Sequence, residues 1–330
     1  MTGRPGTVPI VETDVLGAPY EARTIRLADD DEGEVVATLV RLRAGTPTNR
    51  AVLYLHGFVD YFFQRHLAEF YTERGYDFYA LDLRKYGRSM RPKQTPNFID
   101  DLAAYDEEID EAVRIIREEE GHDVLLVNGH STGGLIAALW ADRVRGRGLV
   151  QGVFLNSPFF EFNTPWLMRR LLNPLINAQG RRNPKAVLPQ KLGRTYGQSI
   201  HRDHNGEWDY ELGWKPLNGY PIYAGWVRAI GLAHRTLQAG LNIDVPVLVA
   251  ASARSYNGKF TEAAHHADAV LNVNDIARYT PGLGKNVTLV RIEGGKHDLA
   301  LSPAKARADL FAKLDEWMRV TPTLGVTTAR

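Results

Sequence analysis

Short apolar, β-branched runs recur along the chain, separated by longer stretches in which apolar positions follow a helical spacing. The runs at 51–55 (Ala-Val-Leu-Tyr-Leu), 77–82, 124–128, 150–156, 245–251 and 286–292 are apolar over most of their length, as strands covered on both faces must be. Helical patterns fall at 62–74, 100–120 (strongly acidic), 135–144, 273–279 and 303–320, the first stopping at Gly75. Such alternation predicts an α/β protein with a mostly parallel central sheet flanked by crossover helices. Two further segments, 23–27 and 35–43, predict an antiparallel hairpin turning near 30–33. Regular alternation breaks over 158–239, which is rich in Pro, Gly, Trp, Tyr and Arg. The expected organisation is a core formed by 1–157 and 240–320, an inserted cap at 158–239, and a flexible tail at 321–330.

Composition narrows the function classes. The chain has 330 residues, 44% of them hydrophobic, enough for a large core. Its formal net charge of +1 argues against a dedicated nucleic-acid binder, which needs a concentrated basic footprint. The absence of cysteine removes disulfides, thiolate metal sites and a cysteine nucleophile together. Residues 1–17 are polar, without the apolar run of a signal peptide, and no stretch has the ~20 apolar residues of a membrane span. A cytoplasmic location is the resulting expectation.

Gly129-His130-Ser131-Thr132-Gly133 fits the pattern G-x-S-x-G, with a predicted strand entering and a predicted helix leaving. A serine in so tight a turn needs small neighbours and projects its hydroxyl outward, which marks Ser131 as a nucleophile. Acyl transfer also needs donors for a developing oxyanion. The N–H of Thr132, at a helix start, and that of Phe58, in the His56-Gly57-Phe58 loop after strand 51–55, are the candidates. His56 itself reads as a structural residue of that loop. Among ten histidines, His297 follows the last strand through Glu293-Gly294-Gly295 and is the expected general base. His130 is held inside the turn, and His201 and His204 read as surface residues. The orienting acid should follow the penultimate strand. Asp268 is preferred, with Asp275 as the alternative, because Asp244 precedes its strand and Asp298 adjoins the base.

With these residues placed, the chain resembles the monoacylglycerol-lipase and lysophospholipase branch of the α/β-hydrolase superfamily, the serine aminopeptidase-like group. The likeness runs from about residue 50 to 317, with a gap over the cap. It is carried by Leu55-His56-Gly57-Phe58, by the segment from Ala80 to Ser89, by Gly129 to Gly134, by Asp268-Ala269-Val270 and by Gly294-Gly295-Lys296-His297. Lys85-Tyr86 stands where the group usually has Gly-His, and Thr132 where Met is commonest. The resemblance implies the α/β-hydrolase fold and a Ser131–His297–Asp268 triad acting on a small acyl ester without metal or organic cofactor. A peptidase, lactonase or carbon–carbon hydrolase would keep the same triad. A ligand-binding receptor on this fold is the rival from another class.

The cap bears on the substrate. Residues 162–202 contain no Asp or Glu but carry Arg169, Arg170, Arg181, Arg182, Lys185, Lys191, Arg194 and Arg202. Such a run can attract an anionic acyl substrate or make weak contact with anionic lipid. The competing reading is a solvated face that balances the acidic helix. Trp166, Trp214 and Trp226, with Phe58, are expected to bind substrate, although a small core holding the cap together would use the same aromatics.

Overall fold

The apolar runs assemble into one sheet. A computed structural model describes residues 11–164, 166–189 and 193–324, the side chains of 166–173 excepted. Its strands are β1 (Val11–Thr13), β2 (Glu21–Arg26), β3 (Val36–Leu42), β4 (Arg50–Leu55), β5 (Asp77–Asp82), β6 (Val124–His130), β7 (Gly152–Asn156), β8 (Val247–Ser252) and β9 (Val287–Ile292). Their spatial order is β1-β2-β3-β5-β4-β6-β7-β8-β9. The first three pair antiparallel, and β3 runs antiparallel to β5. From β5 onward every neighbouring pair is parallel. The central strands β5 to β8 are buried almost throughout, which explains their continuous apolar character.

Helices cover both faces. They are α1 (Arg65–Thr72), α2 (Asp106–Arg114), α3 (Thr132–Arg143), α4 (Trp166–Arg182), α5 (Arg194–Ile200), α6 (Ala224–Gln238), α7 (Val273–Tyr279) and α8 (Ala304–Val320). One apolar layer joins α2, α3 and α6 to the sheet, and the other joins α1 and α8 to the opposite face. The acidic pattern expected as one helix at 100–120 divides into a 3-10 turn (Leu102–Tyr105), α2 and a π-turn (Ile115–Glu119).

Two expectations change. The segment 158–239 carries α4, α5 and α6 between β7 and β8. Its last helix, however, buries Ala229, Ile230, Ala233 and Leu237 in the principal core cluster. Part of the expected cap thus packs with the core. At the other end, the tail expected to be flexible from 321 is anchored by the buried residues Thr321 and Leu324. Leu324 is fully buried beside Gly152 and Trp317, and its carbonyl accepts from Tyr76 Oη at 2.8 Å. Residues 325–330 lie outside the described residues. No helix among the described residues is long and apolar enough to cross a membrane.

Candidate active site

The site lies where the parallel strands end. β6 runs directly into Ser131, whose backbone sits at φ 53°, ψ −117°, and α3 begins at the next residue. This conformation is one an L-residue avoids, and it persists only where the surroundings fix it. The turn is locked by close approach: a Cβ on Gly133 would lie 2.3 Å from the carbonyl oxygens of Leu55 and His56. Gly57 passes over the serine so closely that a Cβ there would meet Ser131 Cβ at 3.0 Å. The loop after β4 therefore lies directly against the elbow, with Phe58 following.

Three side chains converge here from separate parts of the chain. Ser131 Oγ lies 2.9 Å from His297 Nε2, and His297 Nδ1 lies 3.0 Å from Asp268 Oδ2. Asp268 is fully buried, and its other oxygen accepts from the N–H groups of Val270 and Leu271, both at 2.8 Å. Those bonds orient the carboxylate, which in turn places the imidazole proton on Nδ1 and leaves Nε2 free to accept from the serine. Asp275 lies in the first turn of α7 and makes no bond to His297. Thr132 is the first residue of α3, where an amide has no intrahelical partner. Phe58 and Thr132 both line the cavity in front of Ser131.

The other histidines have separate places. His56 Nε2 accepts from Leu83 N–H at 3.0 Å, so its Nδ1–H donates to the Gly57 carbonyl at 2.8 Å. It braces the loop as expected, and burial pushes its pKa down. His130 Nδ1 lies 3.1 Å from the Asn156 carbonyl, and burial lowers its pKa as well. His201, expected at the surface, is buried against Tyr210 at the end of α5, where the turn 201–208 folds back on it, whereas His204 is exposed. Asp298 does point away from the base. It accepts from Gln64 at 3.0 Å, Asn156 at 2.8 Å and the Ala300 N–H at 3.0 Å. Burial alone would raise its pKa. The nearby His130 and the two amide donors outweigh that and hold the carboxyl below its usual range.

A cavity of about 480 Å³ opens in front of Ser131. Its walls are mainly apolar, including Phe159, Leu188, Ile222, Val227 and Leu271. Trp226 lines it and stacks on Phe58 with ring centroids 4.0 Å apart. Trp214 does not line it, contrary to expectation. That ring packs edge-on against Tyr61 in a separate aromatic cluster that seats the insertion on the core. The Trp166 side chain lies outside the described residues, as do those of Arg169, Arg170 and Lys191. Of the basic run, Lys185 is engaged by Asp31 and Glu32, and Arg202 by Asp209. The acids of these pairs lie in the turn between β2 and β3 and in the insertion itself, not in the acidic stretch 100–120.

Sequence reasoning missed three groups. Asp60 and Lys215 form a buried pair on the cavity wall, 2.5 Å apart. Tyr196, from α5, sets its ring edge-to-face against His297 at 5.4 Å. Gln64 and Asn156 hold the loop after His297 through Asp298. None has a local sequence signature, because each partner comes from a distant segment. No group of metal-ligating side chains occurs among the described residues.

A mostly parallel sheet, with a strand–turn–helix serine and a histidine presented after the last strand, defines the α/β-hydrolase class. Solved structures share the fold. A soluble variant of monoglyceride lipase from Saccharomyces cerevisiae, in complex with a substrate analogue, superposes with TM-score 0.65 at 15% identity, covering 88% of this chain and 93% of that one. The monoacylglycerol lipase of Paleococcus ferrophilus gives 0.63 at 21% identity, covering 84% and 97%. A thermostable carboxyl esterase from Bacillus coagulans, in complex with glycerol, gives 0.64 at 14% identity, covering 91% and 98%. No curated protein sequence matches the chain. The serine aminopeptidase, S33, family profile matches residues 46–301, and the chain belongs to that family.

Proposed function

We propose that the protein hydrolyses a carboxylic ester with a small, largely apolar acyl group. The observation that carries this reading is His297 bridging Ser131 and Asp268 at 2.9 and 3.0 Å beside an apolar cavity. Ser131 Oγ attacks the carbonyl carbon while His297 Nε2 takes its proton. The N–H groups of Phe58 and Thr132 receive the oxyanion. The imidazolium, steadied by Asp268, then protonates the leaving alcohol, and a water activated by the same nitrogen releases the acid.

The cavity's charge favours an ester over a peptide N-terminus. Asp60 is the only carboxylate among the described lining residues, and Lys215 neutralises it. An α-ammonium group would therefore find no free anion there. Trp226 and Phe58 form the aromatic wall against which the acyl chain packs.

The test is hydrolysis of p-nitrophenyl and glyceryl esters of graded chain length alongside amino-acid p-nitroanilides. Turnover confined to esters, with an optimum at short or medium chains, agrees with the proposal. Preferential release of p-nitroaniline would overturn it.

A further inference from the structure

Between the loop carrying Phe58 and the inserted segment lies a charge pair that the mechanism above leaves unused. Asp60 follows Phe58 by two residues, and Lys215 closes a turn of the insertion in which its N–H donates to the Glu211 carbonyl at 3.0 Å. The two residues are 2% and 7% exposed, and Lys215 Nζ lies 2.5 Å from Asp60 Oδ1. The ammonium is also surrounded by the rings of Phe63, Tyr196 and Tyr210, at 5.6 to 5.9 Å.

The pair closes over strained backbone. Val59, between Phe58 and Asp60, has φ +50°, a conformation that β-branched residues avoid. Such a shape persists only when its surroundings over-determine it. On the core side, Asp60 Oδ1 accepts from Tyr61 N–H at 3.0 Å, and Phe62 N–H donates to Asp82 at 3.0 Å. On the other side, Glu211 N–H donates to Tyr61 Oη at 2.7 Å, so the turn bearing Lys215 rests on the same loop. A buried ion pair is a poor source of stability, since a well-packed apolar pair of similar volume often does as well. Its placement, immediately after a proposed oxyanion donor, points to geometry.

We propose that Lys215 is a positioning residue that clamps Asp60 from the insertion and so holds the strained 58–60 loop with the Phe58 N–H aimed at the oxyanion. Acyl transfer then depends on the insertion being seated. The inference rests on the ester-hydrolase reading above.

Lys215→Met alone strands a buried carboxylate and risks unfolding, so the decisive protein is Lys215→Met/Asp60→Asn, with Lys215→Arg as the conservative variant. Each is compared with wild type by thermal melting, by kcat and KM on a p-nitrophenyl ester, and by affinity for two inhibitors. An alkyl boronic acid adds to Ser131 and places an oxygen in the oxyanion position. A long-chain alcohol occupies only the cavity. Loss of a whole oxyanion donor lowers kcat about 10²–10³-fold, and a displaced donor should cost about 10–100-fold.

The expected result is a folded double variant with that loss in kcat, KM within about threefold, and a matching loss of boronate but not alcohol affinity. Lys215→Arg should recover most of the activity. Unchanged kcat in the folded double variant, or equal loss of boronate and alcohol binding, overturns the clamp. A wild type that neither turns over esters nor reacts with a fluorophosphonate overturns the ester-hydrolase reading and the clamp with it.

Discussion

Asp268→Asn isolates the orienting role of the carboxylate with almost no change in volume. The native oxygens are committed: Oδ1 accepts from two backbone N–H groups and Oδ2 from His297 Nδ1. An asparagine that keeps its oxygen on the backbone amides turns its NH2 toward the imidazole. Nδ1 must then accept, which moves the ring proton to Nε2, facing Ser131. That tautomer cannot take the serine proton. The flipped amide restores the tautomer but sets NH2 against two N–H donors. Stranding two buried N–H donors disfavours the flip by roughly 2–6 kcal/mol, at about 1–3 kcal/mol each. Activity through the flipped form is therefore a leak set by that cost, and kcat should fall by between about 30-fold and about 10⁴-fold, or about 2–5.4 kcal/mol in barrier at 1.36 kcal/mol per tenfold. Stopped-flow and steady-state hydrolysis of a p-nitrophenyl ester measure it, with circular dichroism to verify the fold. Asp275→Asn, on α7, serves as the control and should stay within about twofold of wild type. A retained activity above a tenth in Asp268→Asn, or an equal loss in Asp275→Asn, would refute the assignment.

Other perturbations follow from the same geometry. Trp226→Ala should widen the cavity beside Phe58 and move the chain-length optimum of ester hydrolysis upward, while Trp214→Ala should leave the profile unchanged. Leu324→Ala removes a fully buried side chain and should cost about 2–5 kcal/mol in urea unfolding; a loss below 0.5 kcal/mol would contradict the packed terminus. Burial lowers the Lys296 pKa to about 8, against 10.5 for the free side chain. The unfolded chain thus binds more protons than the folded one between about pH 8 and 10.5, so this lysine's contribution to stability should become more favourable as pH rises through that window. The difference in unfolding free energy between wild type and Lys296→Met should accordingly climb from pH 8 to 10.5, and a flat or falling difference would contradict the burial argument.

Much of the core was legible because parallel strands buried on both faces write themselves as apolar runs, and because Ser131 needs small residues on a strand-to-helix turn. The hairpin of β2 and β3 was readable from its turn at Asp30 and Gly33. β1 was not, since its three residues are exposed and carry no alternation. The order of motifs brought out Ser131, His297 and Asp268, whose separations of 166 and 29 residues are closed by the sheet topology. The inserted segment was opaque. Its aromatics serve two purposes that composition cannot separate, with Trp226 on the cavity and Trp214 in the cluster that seats the segment. The Asp60–Lys215 pair spans 155 residues and becomes visible only when the insertion is folded down on the loop after β4. Likewise, α6 looked like part of the cap because it follows the irregular stretch, although its apolar face packs with the main core.

The central claim is that Ser131 is an acylated nucleophile, and intact-mass spectrometry during ester turnover tests it most directly. Wild type quenched in acid within the first turnovers should gain the mass of one acyl group, located to the peptide containing Ser131, while Ser131→Ala gains none and hydrolyses no ester. Undiminished turnover in Ser131→Ala, or an acyl adduct on another residue, would contradict the account.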